Sequence, residues 1–224
     1  MFNDIRLRHD LIDAALQLTS LGLNKGTAGN VSVRLDEDRF LITPSGMPAT
    51  TLSAKHLPVM TLGTPGEWTG PRKPSSEWRF HLDLYAARPE VGAVVHTHAP
   101  FCTTLACLQK DIPPFHYMVA VAGGKTIRCA SYATFGTEAL SKAALKALKD
   151  RSACLLAHHG MIATGPNLTA ALKLAVEVEE LAEQYWRCLQ IAEPKTLSDA
   201  EMKRILEKFK GYGANAQKAL QGEA

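Results

Sequence analysis

The chain contains no closely spaced cysteine pair, no long apolar run and no concentrated block of basic residues. Its five cysteines form no C-x-x-C motif, and their odd number argues against a disulfide framework and favours a reducing compartment. The charged first ten residues do not resemble a signal peptide, and no later window is long enough to span a bilayer. We therefore expect a cytoplasmic protein with no membrane partner.

The charges also disfavour nucleic acid as a partner. The formal net charge is only +3, and the lysines and arginines are scattered and do not form a basic stripe. The 224 residues, 46% of them hydrophobic, suffice for one well-buried core, and no shift in composition divides the chain. We expect a single domain over residues 1–224, in which residues 214–224 form a flexible tail.

Hydrophobic periodicity indicates an alternation of helices and short strands. Helices are predicted over residues 5–21, 78–87, 100–108, 137–148, 168–190 and 198–210, and strands over 31–35, 40–43, 59–62, 91–96, 126–132 and 153–157. The first two strands form an antiparallel hairpin, and residues 115–122 fit either a strand or a helix. This order predicts an α/β fold, a three-layer α-β-α sandwich with a central mixed, mostly antiparallel sheet.

Two pairs of histidines follow the most apolar strand segments. His96 and His98 are two residues apart, so on a strand their rings point to the same face and can bind one cation. His158 and His159 follow the other segment, and either could supply a third nitrogen. A single histidine at such a position is more often a hydrogen-bonded core or surface residue, but three placed in this way favour a metal site.

Two loops have the composition of an anion site. Residues 26–30 offer small side chains and free backbone amides, and Ser75 and Ser76 stand at a predicted helix start, with serine as N-cap. Ser45 and Gly46 are further candidates. Neither nucleotide-binding glycine motif is present, which favours a small phosphate over a nucleotide. Each segment alone also fits an ordinary turn or cap, and Glu77 fits either a stabilising carboxylate in the first helical turn or a catalytic base.

The combination of these motifs resembles a known family. Seven segments carry the resemblance: 26–32 (GTAGNVS), 42–46 (ITPSG), 74–81 (PSSEWRFH), 95–98 (VHTH), 116–118 (HYM), 132–136 (YATFG) and 158–160 (HHG). They occur in the order seen in the class II (zinc) aldolase/adducin superfamily, over about residues 11–213. Within that superfamily the chain is most similar to the branch that acts on L-fuculose 1-phosphate.

The resemblance implies roles for individual residues. One Zn²⁺ per subunit would be held by His96, His98 and His159, with Glu77 beside it as acid/base and ligand. The sugar phosphate would be held by seven residues: Thr27, Gly29, Asn30, Ser45, Gly46, Ser75 and Ser76. Phe135 would line the aldehyde pocket, Tyr117 would reach the active site of a neighbouring subunit, and Tyr212 would close over the substrate.

The expected activity is zinc-dependent, reversible aldol cleavage of a ketose 1-phosphate of the L-fuculose type. The products would be dihydroxyacetone phosphate and an aldehyde such as L-lactaldehyde, and the enzyme would be a homotetramer with active sites at subunit interfaces. The alternatives are an aldolase of 5-deoxyribulose or methylthioribulose 1-phosphate, a ribulose-phosphate 4-epimerase and a methylthioribulose-phosphate dehydratase. The epimerases carry an acidic residue near positions 115–116, which is missing here. A non-enzymatic adducin-like module is disfavoured because Glu77 and the histidines are all present.

Overall fold

The computed structural model describes the backbone of residues 2–221 and the side chains of residues 4–210. The helices and strands of this part are α1 (Phe2–Ser20), β1 (Asn30–Arg34), β2 (Arg39–Ile42), β3 (Val59–Thr61), β4 (Trp68–Thr69), α2 (Trp78–Ala87), β5 (Ala93–Thr97), α3 (Pro100–Cys107), β6 (Arg128–Ala130), α4 (Glu138–Ala147), β7 (Ala153–Leu156), β8 (Gly160–Gly165), α5 (Leu168–Leu189) and α6 (Asp199–Gln221). Among them, no helix is both long and apolar enough to cross a membrane.

The eight strands form one sheet in the order β4-β3-β2-β1-β5-β8-β7-β6. All neighbouring strands are antiparallel except β6 and β7, which are parallel. Strand β5 therefore lies near the middle, between β1 and β8. The predicted mixed, mostly antiparallel sheet is confirmed.

Buried side chains alternate between the two faces of the sheet and divide the core into two clusters. Val95 of β5 and Leu155 of β7 belong to the cluster beneath α1, α3, α5 and α6. Val94 and Leu156, their neighbours along the same strands, belong to the cluster beneath α2 and α4. The helices thus cover both faces of the sheet, which confirms the predicted three layers. His96 lies on the α2 face, because it follows Val94 by two residues.

The structure differs from the sequence-based prediction in two strands and in the start of α2, and it resolves one ambiguous stretch. Strands β4 and β8 were not predicted, although β8 pairs with β5 along five residues. The ambiguous stretch at 115–122 contains a 3-10 helix, Tyr117–Ala122, which ends at Gly123 with a φ of 87°. Helix α2 begins one residue after Glu77, which occupies the N-cap position and not the first turn, so neither Ser75 nor Ser76 is its N-cap.

Two predictions concern the end of the chain. The side chain of Tyr212 lies outside the described residues, and so do residues 222–224. Helix α6 continues beyond the predicted end at residue 210. The assignment of residues 214–224 to a separate tail stays a prediction.

Candidate metal and phosphate site

Four side chains with metal-binding groups converge at one end of the central strands. His96 belongs to β5 and His98 follows it, His159 lies in the turn between β7 and β8, and Glu77 precedes α2. The convergence follows from the sheet order, because β8 pairs with both β5 and β7 and α2 packs on the face to which His96 points. One ligand atom of each residue lies within 4.8 Å of the other three.

The carboxylate of Glu77 lies between two of the rings. Its Oε2 is 3.1 Å from Nε2 of His96, and its Oε1 is 3.1 Å from Nε2 of His159. Nε2 of His98 is also 3.1 Å from Nε2 of His96. Three ring nitrogens and a carboxylate therefore face a common centre.

The tautomer of His96 follows from its hydrogen bond to the backbone. Its Nδ1 lies 2.9 Å from the carbonyl oxygen of Met161 in β8. A carbonyl oxygen only accepts, so Nδ1 carries the hydrogen, and an Nε2 without a hydrogen presents a lone pair to Glu77 and His98. Lone pairs at this distance repel unless a positive charge lies among them, so the cluster requires a cation or an added proton.

Burial and neighbouring charge act in opposite directions on Glu77. Burial favours the neutral carboxyl group, but the adjacent His96 and His159, when their rings carry the added proton, outweigh it and hold the pKa of Glu77 well below its ordinary value. Burial, together with proximity to His96 and His159, lowers the pKa of His98 to about 4. At neutral pH the cluster thus offers an ionised carboxylate and a neutral His98 ring.

These four groups fit a divalent metal ion. Zinc–nitrogen bonds are about 2.0–2.1 Å long, so two ligand atoms of a tetrahedral zinc site lie roughly 3.3 Å apart. The spacings of 3.1 Å between Nε2 of His96 and both Nε2 of His98 and Oε2 of Glu77 are close to this value. In addition, Oε1 of Glu77 is buried without a hydrogen-bond donor. One ion would satisfy all four groups at once, whereas a proton serves a single pair.

The neighbouring histidines are engaged elsewhere. His81, one helical turn after Glu77, places its Nε2 2.5 Å from Oδ1 of Asn30 and its Nδ1 2.7 Å from Oγ of Ser32. Nε2 of His158 lies 3.1 Å from the side-chain nitrogen of Gln109. His158 has a φ of 55°, and its ring contacts that of Tyr132. Neither ring belongs to the cluster.

A cleft of about 340 Å³ adjoins the cluster, and the seven residues predicted to hold phosphate all line it. Backbone hydrogen bonds bring their loops together. The N–H of Ser45 donates to the carbonyl of Lys73 at 3.0 Å, and the N–H of Ser75 donates to the carbonyl of Thr43 at 3.0 Å. The N–H of Thr43 in turn donates to the carbonyl of Val31 at 2.9 Å, so three segments that lie far apart in sequence form one wall next to Glu77.

Gly29 allows this wall to approach β5 closely. Its φ is 73°, and a Cβ atom there would lie 2.5 Å from Oδ1 of Asn24 and 2.6 Å from the carbonyl oxygen of His96. Asn24 in turn accepts a hydrogen bond from the backbone N–H of His98 at 3.3 Å. A side chain at Gly29 would thus disturb both the loop and the backbone that carries the histidines.

The groups predicted to hold phosphate are neutral. That part of the cleft is lined by the hydroxyl groups of Thr27, Ser45 and Ser76, by the Asn30 amide and by the residues around Gly29 and Gly46. Binding of a phosphate dianion here would depend on O–H and N–H donors and on the nearby amino end of α2. This suits a small ester held by many directed hydrogen bonds.

The remaining predicted residues lie in different places. Phe135 lines the cleft near its mouth with Tyr132, and both are mostly exposed. Tyr117 is half exposed and is not among the residues that line this cleft.

Sequence reasoning missed the residues that support the cluster. No supporting role was assigned to Asn24, Ser32, His81, Tyr85 or the carbonyl group of Met161. Ser32 in β1 and His81 and Tyr85 in α2 are polar residues that the fold buries. A buried polar group requires a partner, and this was the available signal.

The comparisons with known proteins all point to one family. The family model described as the class II aldolase and adducin N-terminal domain matches residues 9–186. A 5-methylthioribulose-1-phosphate/5-deoxyribulose-1-phosphate aldolase of Rhodospirillum rubrum is 68% identical over 213 residues, 95% of each chain. An L-fuculose phosphate aldolase of Escherichia coli K12 is 51% identical over 209 residues, 93% of this chain and 96% of that protein. A solved structure of an L-fuculose 1-phosphate aldolase matches with a TM-score of 0.87 at 40% identity, covering 92% of this chain and 96% of that chain.

Proposed function

The chain belongs to the class II aldolase and adducin N-terminal domain family, and from this premise we propose that it cleaves a ketose 1-phosphate reversibly to dihydroxyacetone phosphate and an aldehyde. The predicted family is confirmed, and the chain is a class II aldolase, a carbon–carbon lyase. The observation that carries the proposed reaction is the position of Glu77. Its carboxylate touches the histidine cluster, and it also lines the cleft formed by the predicted phosphate loops.

The proposed substrates are 5-deoxyribulose 1-phosphate and 5-methylthioribulose 1-phosphate. They are the compounds in the name of the Rhodospirillum rubrum relative, which is 68% identical to this chain. Cleavage of either would release an aldehyde without a hydroxyl group next to its carbonyl, acetaldehyde or methylthioacetaldehyde. The aromatic rings of Phe135 and Tyr132 at the mouth of the cleft suit such apolar ends.

L-Fuculose 1-phosphate, which the sequence motifs favoured, becomes the second candidate. It is supported by the Escherichia coli relative, which is 51% identical. This substrate differs at the aldehyde end, where L-lactaldehyde carries an additional hydroxyl group. The shared part of the substrates is the ketose phosphate end, so both candidates would use the same metal and phosphate sites.

The proposed cofactor is one Zn²⁺ per subunit, held by His96, His98 and His159 with Glu77 at its side. Such an ion supplies positive charge to the carbonyl oxygen next to the bond that breaks. The neutral His98 ring and the bare Nε2 of His96 are suitable ligands. The carboxylate of Glu77 is near enough to serve as a ligand or to stay free as a base.

In the proposed reaction the bond between C3 and C4 of the ketose breaks. The hydroxyl group on C4 loses its proton and becomes the aldehyde, the electron pair remains with C3 and the adjacent carbonyl, and C3 then receives a proton. We propose that Glu77 delivers the proton to C3 and removes it in the reverse direction. The seven predicted phosphate-binding residues would hold the phosphate and fix C3 near that carboxylate. They are Thr27, Gly29, Asn30, Ser45, Gly46, Ser75 and Ser76.

The proton on the C4 hydroxyl group needs a second acceptor, and we propose Tyr117 of a neighbouring subunit. Tyr117 is half exposed, and it does not line the cleft of its own chain. A homotetramer with sites at its subunit interfaces would bring it there, and Tyr212 would close over the substrate. Light scattering should then give a tetramer, and a fully active monomer would exclude this role for Tyr117.

A substrate panel tests the proposed function. Dihydroxyacetone phosphate release is measured by a coupled assay with 5-deoxyribulose, 5-methylthioribulose, L-fuculose and L-rhamnulose 1-phosphates, before and after chelation. We expect the largest kcat/KM with the first two, and loss of activity with chelator that Zn²⁺ restores. Release from none of the four, with interconversion of ribulose and xylulose 5-phosphates, would assign an epimerase. Loss of water from methylthioribulose 1-phosphate would assign a dehydratase.

A further inference from the structure

A chain of buried hydrogen bonds runs from Glu77 into the core. Nδ2 of Asn30 lies 3.0 Å from Oε2 of Glu77, and Oδ1 of Asn30 lies 2.5 Å from Nε2 of His81. Nδ1 of His81 is 2.7 Å from Oγ of Ser32, which is 2.8 Å from the hydroxyl oxygen of Tyr85. All five residues are at most 7% exposed.

The direction of every hydrogen bond in this chain follows from its first member. An ionised Glu77 carboxylate only accepts, so the amide nitrogen of Asn30 must face it and the amide oxygen must face His81. That oxygen also only accepts, so Nε2 of His81 carries a hydrogen. Burial, with a contribution from nearby His96, lowers the pKa of His81 to about 3, which keeps the ring neutral. Nδ1 therefore accepts from Ser32, and Ser32 accepts from Tyr85.

We propose that His81 is a positioning residue, which holds the Asn30 amide in the orientation that fixes Oε2 of Glu77. The inference rests on the proposed function, since it assigns separate tasks to the two oxygens of the catalytic carboxylate. Oε2 receives the hydrogen bond from Asn30. Oε1 has no hydrogen-bond donor and lies 3.1 Å from Nε2 of His159, so Asn30 holds the carboxylate through one oxygen and leaves the other to the metal ion or the substrate.

Without His81, Asn30 has no fixed orientation. A side-chain amide that turns by 180° would present its oxygen to Glu77, and two acceptors at 3.0 Å would repel each other. The donor at Nε2 of His81 prevents this rotation, because a turned amide would oppose N–H to N–H. One hydrogen of the Asn30 nitrogen also remains available for a ligand, and Asn30 lines the phosphate cleft. The orientation of the Asn30 amide thus affects both the carboxylate and the substrate.

Two substitutions of His81 separate this role from simple packing. In His81→Gln the side-chain nitrogen can occupy the position of Nε2 and still donate to Asn30. In His81→Asn the amide reaches only the position of Nδ1 and the donor to Asn30 is lost. We expect His81→Asn to lower kcat about 10- to 30-fold with KM within about twofold, and His81→Gln to retain kcat within about threefold. Metal content per subunit should be unchanged in both variants.

Tyr85→Phe is a control variant, and the tautomer measurement below decides the inference if His81→Asn does not fold. Tyr85→Phe removes only the hydroxyl group at the far end of the chain, and we expect a kcat within about threefold of wild type. His56→Asn, at a partly exposed histidine bonded to Ser53, is the neutral control. Equal kcat values for His81→Asn and His81→Gln would overturn the inference. A loss of kcat in proportion to a loss of bound metal would also overturn it.

The tautomer of His81 gives a test that does not depend on activity. Nitrogen-15 NMR of the ring should show hydrogen on Nε2 and none on Nδ1 at neutral pH, with the signal assigned by its absence in His81→Gln. Hydrogen on Nδ1 would reverse the whole chain and exclude the proposed role. If wild-type protein cleaves none of the sugar phosphates, the proposed function fails, while the NMR result still decides the arrangement around Asn30.

Discussion

The ring of His96 is fixed by the backbone of Met161, whose carbonyl oxygen lies 2.9 Å from Nδ1. This bond crosses from β5 to β8, and it directs the other ring nitrogen towards Glu77 and His98. Hydrogen bonds of this kind orient metal-binding histidines and select their tautomer. The pairing of two central strands therefore determines which atom His96 offers to a metal ion.

The two adjacent histidines in the turn between β7 and β8 should behave differently. His159→Asn removes a ring 3.1 Å from Glu77, and we expect bound zinc to fall below about one tenth of the wild-type content, with loss of aldolase activity. His158→Asn is the matched control, because His158 lies outside the cluster and asparagine tolerates its φ of 55°. Metal analysis after dialysis measures both. Equal zinc in the two variants would contradict the assignment of His159.

Gly160 should tolerate no side chain. A Cβ atom there would lie 2.3 Å from the carbonyl oxygen of Thr97 and 3.0 Å from Cδ2 of His98. We expect Gly160→Ala to cost about 1–3 kcal/mol of unfolding free energy and to weaken zinc binding, because the backbone next to His98 must move. Gly63→Ala, where no atom lies within 4 Å, should change stability by less than about 0.5 kcal/mol. Urea unfolding compares them, and similar effects would refute the close approach at Gly160.

Ser76 should contribute to binding of the substrate phosphate. It is exposed to the cleft, and a hydrogen bond to a charged group is worth about 1.5–3 kcal/mol. We therefore expect Ser76→Ala to lower kcat/KM about tenfold or more and to weaken inhibition by inorganic phosphate. Ser20→Ala, at the end of α1, should change neither quantity. Unchanged phosphate inhibition in Ser76→Ala would exclude this residue from the anion site.

The buried neutral His81 should make stability depend on pH. Its pKa falls from 6.5 to about 3 on folding, so its contribution to stability is complete above pH 6.5 and is lost as the pH falls towards 3. Between pH 7.5 and 5.0 the free energy of unfolding of the metal-free wild type should fall by about 2 kcal/mol more than that of His81→Gln. The comparison isolates His81, because the other histidines titrate in both proteins. Urea unfolding at the two pH values measures the difference. An equal loss in both proteins would mean that His81 accepts a proton when folded.

The parts of the fold that were predictable have strong local signals. The apolar runs of β5 and β7 and the periodicity of α1 and α5 were sufficient to place them. Strand β8 was missed because Gly160 and Gly165 bound it and Thr164 interrupts its apolar character. Its absence from the prediction also hid the partner of His96, because the Met161 carbonyl is a backbone group that no side-chain motif reveals.

The candidate site was predictable as a set of residues but not as an arrangement. Sequence places Glu77 beside a helix start, where a stabilising carboxylate and a metal-adjacent base look the same. Only the packing of α2 against β5 shows that Glu77 turns towards the histidines. His81 and Asn30 are 51 residues apart, and no local pattern connects them.

The most direct test of the account is the rate of dihydroxyacetone phosphate release by Glu77→Gln at equal zinc content. Glutamine preserves the shape of the side chain but cannot exchange the proton, and general acid–base catalysis is typically worth about 10²–10⁴ in rate. We predict a fall of that size in kcat with 5-deoxyribulose 1-phosphate, and no change in the exposed control Glu67→Gln. A zinc-loaded Glu77→Gln enzyme with the wild-type rate would contradict the central claim.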